Sequence, residues 1–238
     1  MDYKKGKFES TKFDYKKDDY AKYLEYLNRL NLSAEEIIHQ FPAYVGSMTI
    51  QRYLTLYDLY KKTLGIAGHL AEVGVYKGSG TIFLSKLVEI FEPNSLTQVH
   101  GFDWFKGDDP DPNEEKHLIK GAYSHSYEEL LKLIDAQKLN HVIRIHKIDI
   151  INELEPFFND NPTLKFKFVF LDSGTYKVTF KALQQFLSKI VKGGIIVFDQ
   201  YNFELAPGET KAVDELLGSE NIKTLPYAWM PNAYYIKE

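Results

Sequence analysis

A chain of 238 residues, 44% hydrophobic and 15% aromatic, is long enough for one substantial core, and a formal charge of −4 offers no basic field for a nucleic-acid partner. The absence of cysteine removes disulfides, thiolate metal sites and thiol nucleophiles, and fits a cytoplasmic protein. No apolar run reaches the roughly 18 to 20 residues that span a bilayer, and the opening MDYKKGKFES lacks the apolar segment of a secretory leader, so no membrane partner is expected.

Residues 1–19, rich in Lys, Asp and Tyr and without period, read as an arm that is mobile or draped over a partner subunit. From Tyr20 the pattern turns helical. Ser33 to Glu36 (SAEE) has the spacing of a capping box, and Pro42 should end that short helix. In SMTIQRYLTLYDLYKKTLG, residues Ile50, Tyr53, Leu54, Tyr57, Tyr60 and Leu64 recur at three- and four-residue spacings, with Lys61 and Lys62 in the last turn and Gly65 as a stop. This predicts an amphipathic helix laid against something larger.

From residue 69 the period changes. The short apolar runs HLAEVGVY, VHGFDWF, VIRIHKID, KFKFVFLD and GGIIVFDQ alternate with segments of helical pattern at 79–91, 126–138, 151–159, 177–191 and 208–217. Near-continuous apolar runs mark strands covered on both faces, the condition of a parallel sheet wrapped by helices. The tail IKTLPYAW and NAYYIKE reads as two further strands joined by a turn too short for anything but antiparallel pairing. The expected fold is α/β, organised as an arm and helical extension over 1–65 and one structural unit over 66–238.

Each of the first five predicted strands carries an acid at or near its carboxyl end: Glu72, Asp103, Asp149, Asp172 and Asp199. Open α/β sheets bind ligands outside that edge, where strand order reverses, so these acids should line one crevice. After the first strand, Gly74, Gly78 and Gly80 follow G-x-x-x-G-x-G into a helix, whereas the dinucleotide fingerprint would place glycine where Tyr76 stands, which argues against a nicotinamide oxidoreductase. A tight glycine turn preceded by Glu72 suits a ligand with an amine and hydroxyls to donate, and S-adenosylmethionine has both. Asp103 is assigned to its ribose hydroxyls. Asp149, flanked by Ile148 and Ile150, is assigned to the adenine amino group. Trp104 and Phe105 are open between crevice wall and core. The loop KGDDPDPNEEKHLIKGAYSHS has the length of a lid, its acids Asp108, Asp109, Asp111, Glu114 and Glu115 read as a solvated face, and His125 at its end could swing toward an acceptor.

These residues resemble the class I S-adenosylmethionine-dependent methyltransferases of the macrocin O-methyltransferase type, which methylate sugar hydroxyls. The similarity runs from about Phe41 to the C-terminus through TIQRYLTLYDLYK, AEVGVYKGSG, GFDWFKG, SYEELL, FLDSGTYKVTFKAL, KGGIIVFDQYN, PGETKAVDELL and PNAYYIKE. It implies a three-layer Rossmann-like fold with a seven-stranded sheet whose last strand is antiparallel. It also implies cofactor contacts from the Glu72 to Gly80 loop, Tyr76 included, and from Asp103, a small-molecule or glycan acceptor, and homo-oligomers formed partly through the N-terminal helices.

The chain departs from this family at the catalytic strand ends. Where the fourth strand typically gives Asp-x-Asp-x-Tyr, Asp172 and Tyr176 match and Gly174 replaces the second acid; after Asp199, Gln200 replaces an acid. In metal-dependent members these acids help hold a divalent cation, so Asp172 and Asp199 remain as the candidate ligands for Mg²⁺, with less charge to hold it. Methyl transfer to a hydroxyl needs the acceptor oxygen held in line and its proton removed. The candidate bases are Asp172, then Asp199, then His125, with Tyr176, Gln200 and Tyr201 toward the substrate. The rival readings are a metal-dependent catechol-type enzyme and a catalytically degenerate cofactor-binding module.

Overall fold

The computed structural model describes residues 17–112 and 115–238. Four helices come first: α1 (Lys17–Arg29), α2 (Ala34–His39), α3 (Phe41–Tyr44) and α4 (Ser47–Lys61). Strands and helices then alternate as β1 (His69–Val73), α5 (Ser79–Phe91), β2 (Val99–Asp103), α6 (Tyr127–Ala136), β3 (Ile143–Lys147), α7 (Leu154–Asp160), β4 (Phe166–Leu171), α8 (Tyr176–Lys189), β5 (Ile190–Phe198), α9 (Pro207–Leu217) and β6 (Ala233–Ile236). The arm read over 1–19 lies outside the described residues except for its last three, which begin α1.

The sheet has the order β3-β2-β1-β4-β5-β6, parallel except for β6. Side chains of a strand alternate between faces, and the two faces feed two cores. Leu70, Phe168, Phe170, Ile195 and Val197 meet α4, α5 and α6 through Leu56, Leu59, Leu84, Val88 and Leu130. Ala71, Val73, Val169, Leu171, Ile196 and Phe198 meet α7, α8 and α9 through Leu154, Phe158, Leu183, Phe186 and Val213. Burial on both faces explains why the strands read as continuous apolar runs.

Three expectations are corrected. The described residues form six strands, not seven: of IKTLPYAW only Lys223 pairs, in a single antiparallel bridge with Tyr234. Pro226, three residues on, has no N–H for a ladder, and the Thr224 hydroxyl bonds the Asn232 carbonyl at 2.7 Å, which closes a turn instead. Pro42 opens α3 rather than simply stopping α2. The buried face of α4 carries Thr55, Leu56, Leu59 and Tyr60, while Leu54 and Leu64 of the predicted stripe are exposed. The capping box is present, with the Glu36 amide donating to Ser33 Oγ at 3.1 Å and the Ser33 amide donating to Glu36 Oε2 at 3.0 Å.

The second lysine in KFKFVFLD has a specific explanation. Lys167 is fully buried, and its Nζ donates to Glu92 Oε2 at 2.6 Å. Glu92 caps the end of α5 and also accepts from the Tyr60 hydroxyl at 2.7 Å and the Thr97 hydroxyl at 3.1 Å. A buried ion pair gains little over an apolar pair, but removing one partner strands the other charge. Glu92→Ala is therefore expected to lower unfolding free energy by about 3–5 kcal/mol, and the double change Lys167→Met with Glu92→Leu by clearly less, as read by urea denaturation.

Candidate active site

Strand order reverses between β1 and β4, and there the carboxyl ends open into a crevice of about 530 Å³. All five strand-end acids line it, as do Arg52, Tyr76, Trp104, Asp108, Ile150, Ile151 and Trp229. Trp104 is thus wall, its Nε1 donating to the Gly107 carbonyl at 2.8 Å, whereas Phe105 is buried core.

The turn after β1 is fitted closely. Gly74 has φ +92°, and a Cβ there would lie 2.0 Å from the Asp172 carbonyl oxygen, so the turns after β1 and β4 can touch only across a glycine. Gly80, at the start of α5, approaches Glu72 so closely that a Cβ would come within 1.9 Å of Oε1. Glu72 is buried and accepts a short hydrogen bond from the Thr81 hydroxyl. Gly78, at φ +84°, is the N-cap of α5; neither it nor Gly80 lines the crevice. Asp103 is fixed by two backbone donors, Tyr76 N to Oδ2 at 2.9 Å and Phe105 N to Oδ1 at 2.6 Å. Burial raises its pKa, and these amides oppose the rise. Asp149 organises its own turn, Oδ1 accepting from Ile151 N at 2.9 Å and Oδ2 from Asn152 Nδ2 at 2.7 Å. Beside it Ile150 and Ile151 face the crevice, while the predicted Ile148 packs against the α7–α9 core.

At the ends of β4 and β5 the structure adds a residue that the sequence reading did not single out. Arg52 of α4 reaches across both strands, Nη1 donating to Asp199 Oδ1 at 2.5 Å and Nη2 to Asp172 Oδ2 at 2.6 Å. Its guanidinium carbon lies 5.1 Å from the centre of the Phe170 ring. Burial works against the charge, but Asp199 and Asp172 outweigh it and hold the guanidinium protonated beyond its ordinary range. The Asp172 side chain is 25% exposed and that of Asp199 4%, so Asp172 is the more open of the two to the crevice. The two family departures touch each other: Gly174, at φ +65°, lies under Gln200, and a Cβ there would meet Gln200 Oε1 at 2.5 Å. That oxygen is buried and finds no hydrogen-bond partner among the described residues. The Gln200 backbone N–H donates to Glu209 Oε1 at 2.6 Å, which ties the end of β5 to α9.

The loop between β2 and α6 is anchored rather than solvated. Glu115 is buried, Oε1 accepting from Tyr176 N at 2.6 Å and Oε2 from Asp111 N at 2.8 Å, and a Cβ on Gly208 would come within 2.2 Å of it. The start of α8, whose N-cap Thr175 makes no side-chain cap, is capped by this distant carboxylate. Asp108 faces the crevice, its carboxyl pushed up to about 7 by burial and by the charges of Asp172 and Asp103. Asp109 does behave as a surface acid, paired with Lys120 at 2.7 Å; Glu114 lies outside the described residues.

Three candidates are not brought to the crevice. His125 packs edge-on against Tyr76, with ring centres 6.0 Å apart. The Tyr176 hydroxyl bonds Glu215 Oε2 at 2.9 Å and the Tyr201 hydroxyl bonds Asp214 Oδ1 at 2.7 Å, both directed at α9.

The chain is similar to several solved structures. CalS11, a calicheamicin methyltransferase, shares 21% identity over 92% of each chain with a TM-score of 0.81. Its apo form, described as a TDP-rhamnose 3′-O-methyltransferase, shares 21% identity over 92% of this chain and 94% of that one, with a TM-score of 0.74. The O-methyltransferase NovP shares 19% identity over 79% and 80% of the two chains, with a TM-score of 0.65. No curated protein matches the chain significantly in sequence. Sheet order, crevice and neighbours define a Rossmann-like methyltransferase fold. The profile of the macrocin-O-methyltransferase (TylF) family matches residues 39–227, and the chain belongs to that family. It is an S-adenosylmethionine-dependent O-methyltransferase.

Glu72 gives the site a pH signature. Its carboxyl is pushed up from 4.5 to about 8, chiefly by burial and secondarily by Asp172, against the hydrogen bond from Thr81. The folded state keeps a proton that the unfolded chain releases near its ordinary pKa, so this contribution is complete below that point and lost as pH rises to about 8. Glu72→Gln is expected to flatten the fall in melting temperature between about pH 4.5 and 8, measured by thermal denaturation across pH.

Proposed function

We propose that this enzyme transfers a methyl group from S-adenosylmethionine to a hydroxyl of a sugar or related polyol, with Asp172 receiving the hydroxyl proton. The observation that carries this reading is the clamped pair at the switch point, where Asp172 is held by Arg52, presented to the crevice, and set beside the turn that follows β1. The description of CalS11 as a TDP-rhamnose 3′-O-methyltransferase supports a sugar hydroxyl as acceptor.

The crevice has acceptors and walls suited to the cofactor. Asp103, immobilised by two amides, is assigned to the ribose hydroxyls, and Glu72 to the neighbourhood of the amine. Ile150 and Ile151 offer apolar wall for the purine, with Asp149 and Asn152 at its edge. When bound, S-adenosylmethionine supplies an electrophilic methyl group, so the acceptor oxygen forms a C–O bond as the C–S electron pair returns to sulfur. Asp172 orients the hydroxyl through a hydrogen bond and takes its proton as the oxygen gains the methyl group. Gln200 Oε1, a buried acceptor, faces the same region and is assigned to a second donor on the acceptor molecule. Trp229 and Trp104 supply flat apolar surface suited to the face of a sugar ring.

Exposed Leu24, Tyr26, Ile37, Ile38 and Phe41 on the first three helices, with Leu30 just after α1, support self-association through the N-terminal extension. The cysteine-free composition supports a cytoplasmic setting.

Asp103→Ala is expected to weaken S-adenosylhomocysteine binding by about tenfold to a hundredfold in calorimetry, since a charge-assisted bond contributes about 1.5–3 kcal/mol. Asp172→Asn should keep that affinity and lose methyl transfer to glycoside acceptors; undiminished turnover in this variant would exclude Asp172 as the base.

A further inference from the structure

The acids at the ends of β4 and β5 are where metal-dependent relatives would hold a divalent ion, and the residues of this chain do not fit one. A hard cation such as Mg²⁺ takes about six oxygen ligands in near-octahedral array and favours several carboxylates. Here both carboxylates already bond one guanidinium, at 2.5 and 2.6 Å. Position 174 has no side chain, and the space above it is filled by Gln200, whose Oε1 a Cβ would meet at 2.5 Å. A divalent ion placed between Asp172 and Asp199 would press against a fixed positive charge. The guanidinium is not loosely held either: it lies over Phe170 on a helix anchored by buried Leu56, Leu59 and Tyr60.

We propose that Arg52 is the resident cation of the acceptor site, its guanidinium holding Asp172 and Asp199 where a divalent ion would otherwise bridge them, so that the enzyme excludes the metal and works with a tethered charge. Gly174 and Gln200 then belong to one rearrangement. Once an arginine neutralises two acids, further acids would be surplus charge, and an amide fills the space instead. Arg52 acts here as a positioning residue, fixing which oxygen of Asp172 is presented. The inference rests on the methyltransferase reading for the role of the site, but the competition between Arg52 and a metal for two carboxylates is a separate physical claim.

The test is Mn²⁺ binding to the chelator-treated full chain, followed by electron paramagnetic resonance, with S-adenosylhomocysteine calorimetry on the same samples. Wild type is expected to hold no Mn²⁺ that Asp172→Asn removes. Arg52→Met uncovers the two carboxylates, so its Mn²⁺ affinity should rise by about tenfold or more, and adding Asp172→Asn should abolish the gain. Should the methionine variant not fold, Arg52→Gln, whose amide can still bond one carboxylate, carries the same comparison. An Asp172-dependent Mn²⁺ site in wild type would overturn the proposal, as would an Arg52 variant that binds Mn²⁺ no better than wild type. Failure of S-adenosylhomocysteine to bind folded wild type would instead count against the methyltransferase reading, whatever the Mn²⁺ result.

Discussion

Adjacent parallel strands bring their carboxyl ends to the same edge, so Asp172 and Asp199, each the residue after its strand, stand side by side by topology alone. Two carboxylates so placed, one of them nearly buried, repel each other in a medium where charge is poorly screened. Arg52 resolves that conflict with one planar group that satisfies both, a geometry lysine could not reproduce. The rest of the site follows from this clamp. It sets the lie of α4 across the sheet and leaves Asp172 as the exposed member of the pair.

A second set of constraints joins elements that are far apart in sequence through backbone amides. Glu115 in the long loop caps α8 at Tyr176, and Gly208 leaves the room for it; Glu209, one residue later in α9, holds the amide of Gln200. The loop after β2, the start of α8, the start of α9 and the end of β5 are thereby fixed to one another by two buried carboxylates. Burial and the charge of Asp199 hold the Glu209 carboxyl well above its usual range, against the bond it accepts from Gln200. The loop that reads as a lid is pinned near its middle by Glu115, and Asp108, ahead of the pin, faces the crevice.

Much of this was legible in the sequence because its cause is local or periodic. Runs such as KFKFVFLD announce buried strands, and an acid after each strand announces an edge where ligands meet polar groups. Gly74 and Gly80 could be placed in a tight turn, although the contacts that require them, with Asp172 and Glu72, are tertiary. The extra tail strand failed because pattern alone does not weigh one proline against a short antiparallel pairing. The face of α4 is hard to read because leucines lie on both sides of it, Leu54 exposed and Leu56 and Leu59 buried. Arg52 was hidden for a related reason: an arginine among apolar residues on a helix reads as solvated unless its partners are known, and those partners lie 120 and 147 residues away. Glu115 was hidden among the acids of a polar loop. Tyr176 and Tyr201 follow the right strands in sequence, but their hydroxyls turn toward α9, to Glu215 and Asp214, and His125 at the end of the long loop packs on Tyr76; none of these partners is conveyed by sequence spacing.

The span of the Arg52 clamp also bears on when the active edge comes into being. The sheet is built by residues from β1 onward, yet the charge that reconciles Asp172 with Asp199 comes from a helix that precedes every strand. A sheet assembled without α4 in place would present two facing carboxylates, which repel each other and would take up a proton or stray cations. The chemistry of the edge is therefore a property of the fully docked chain, and α4 is a working part of the site rather than an appendage to it.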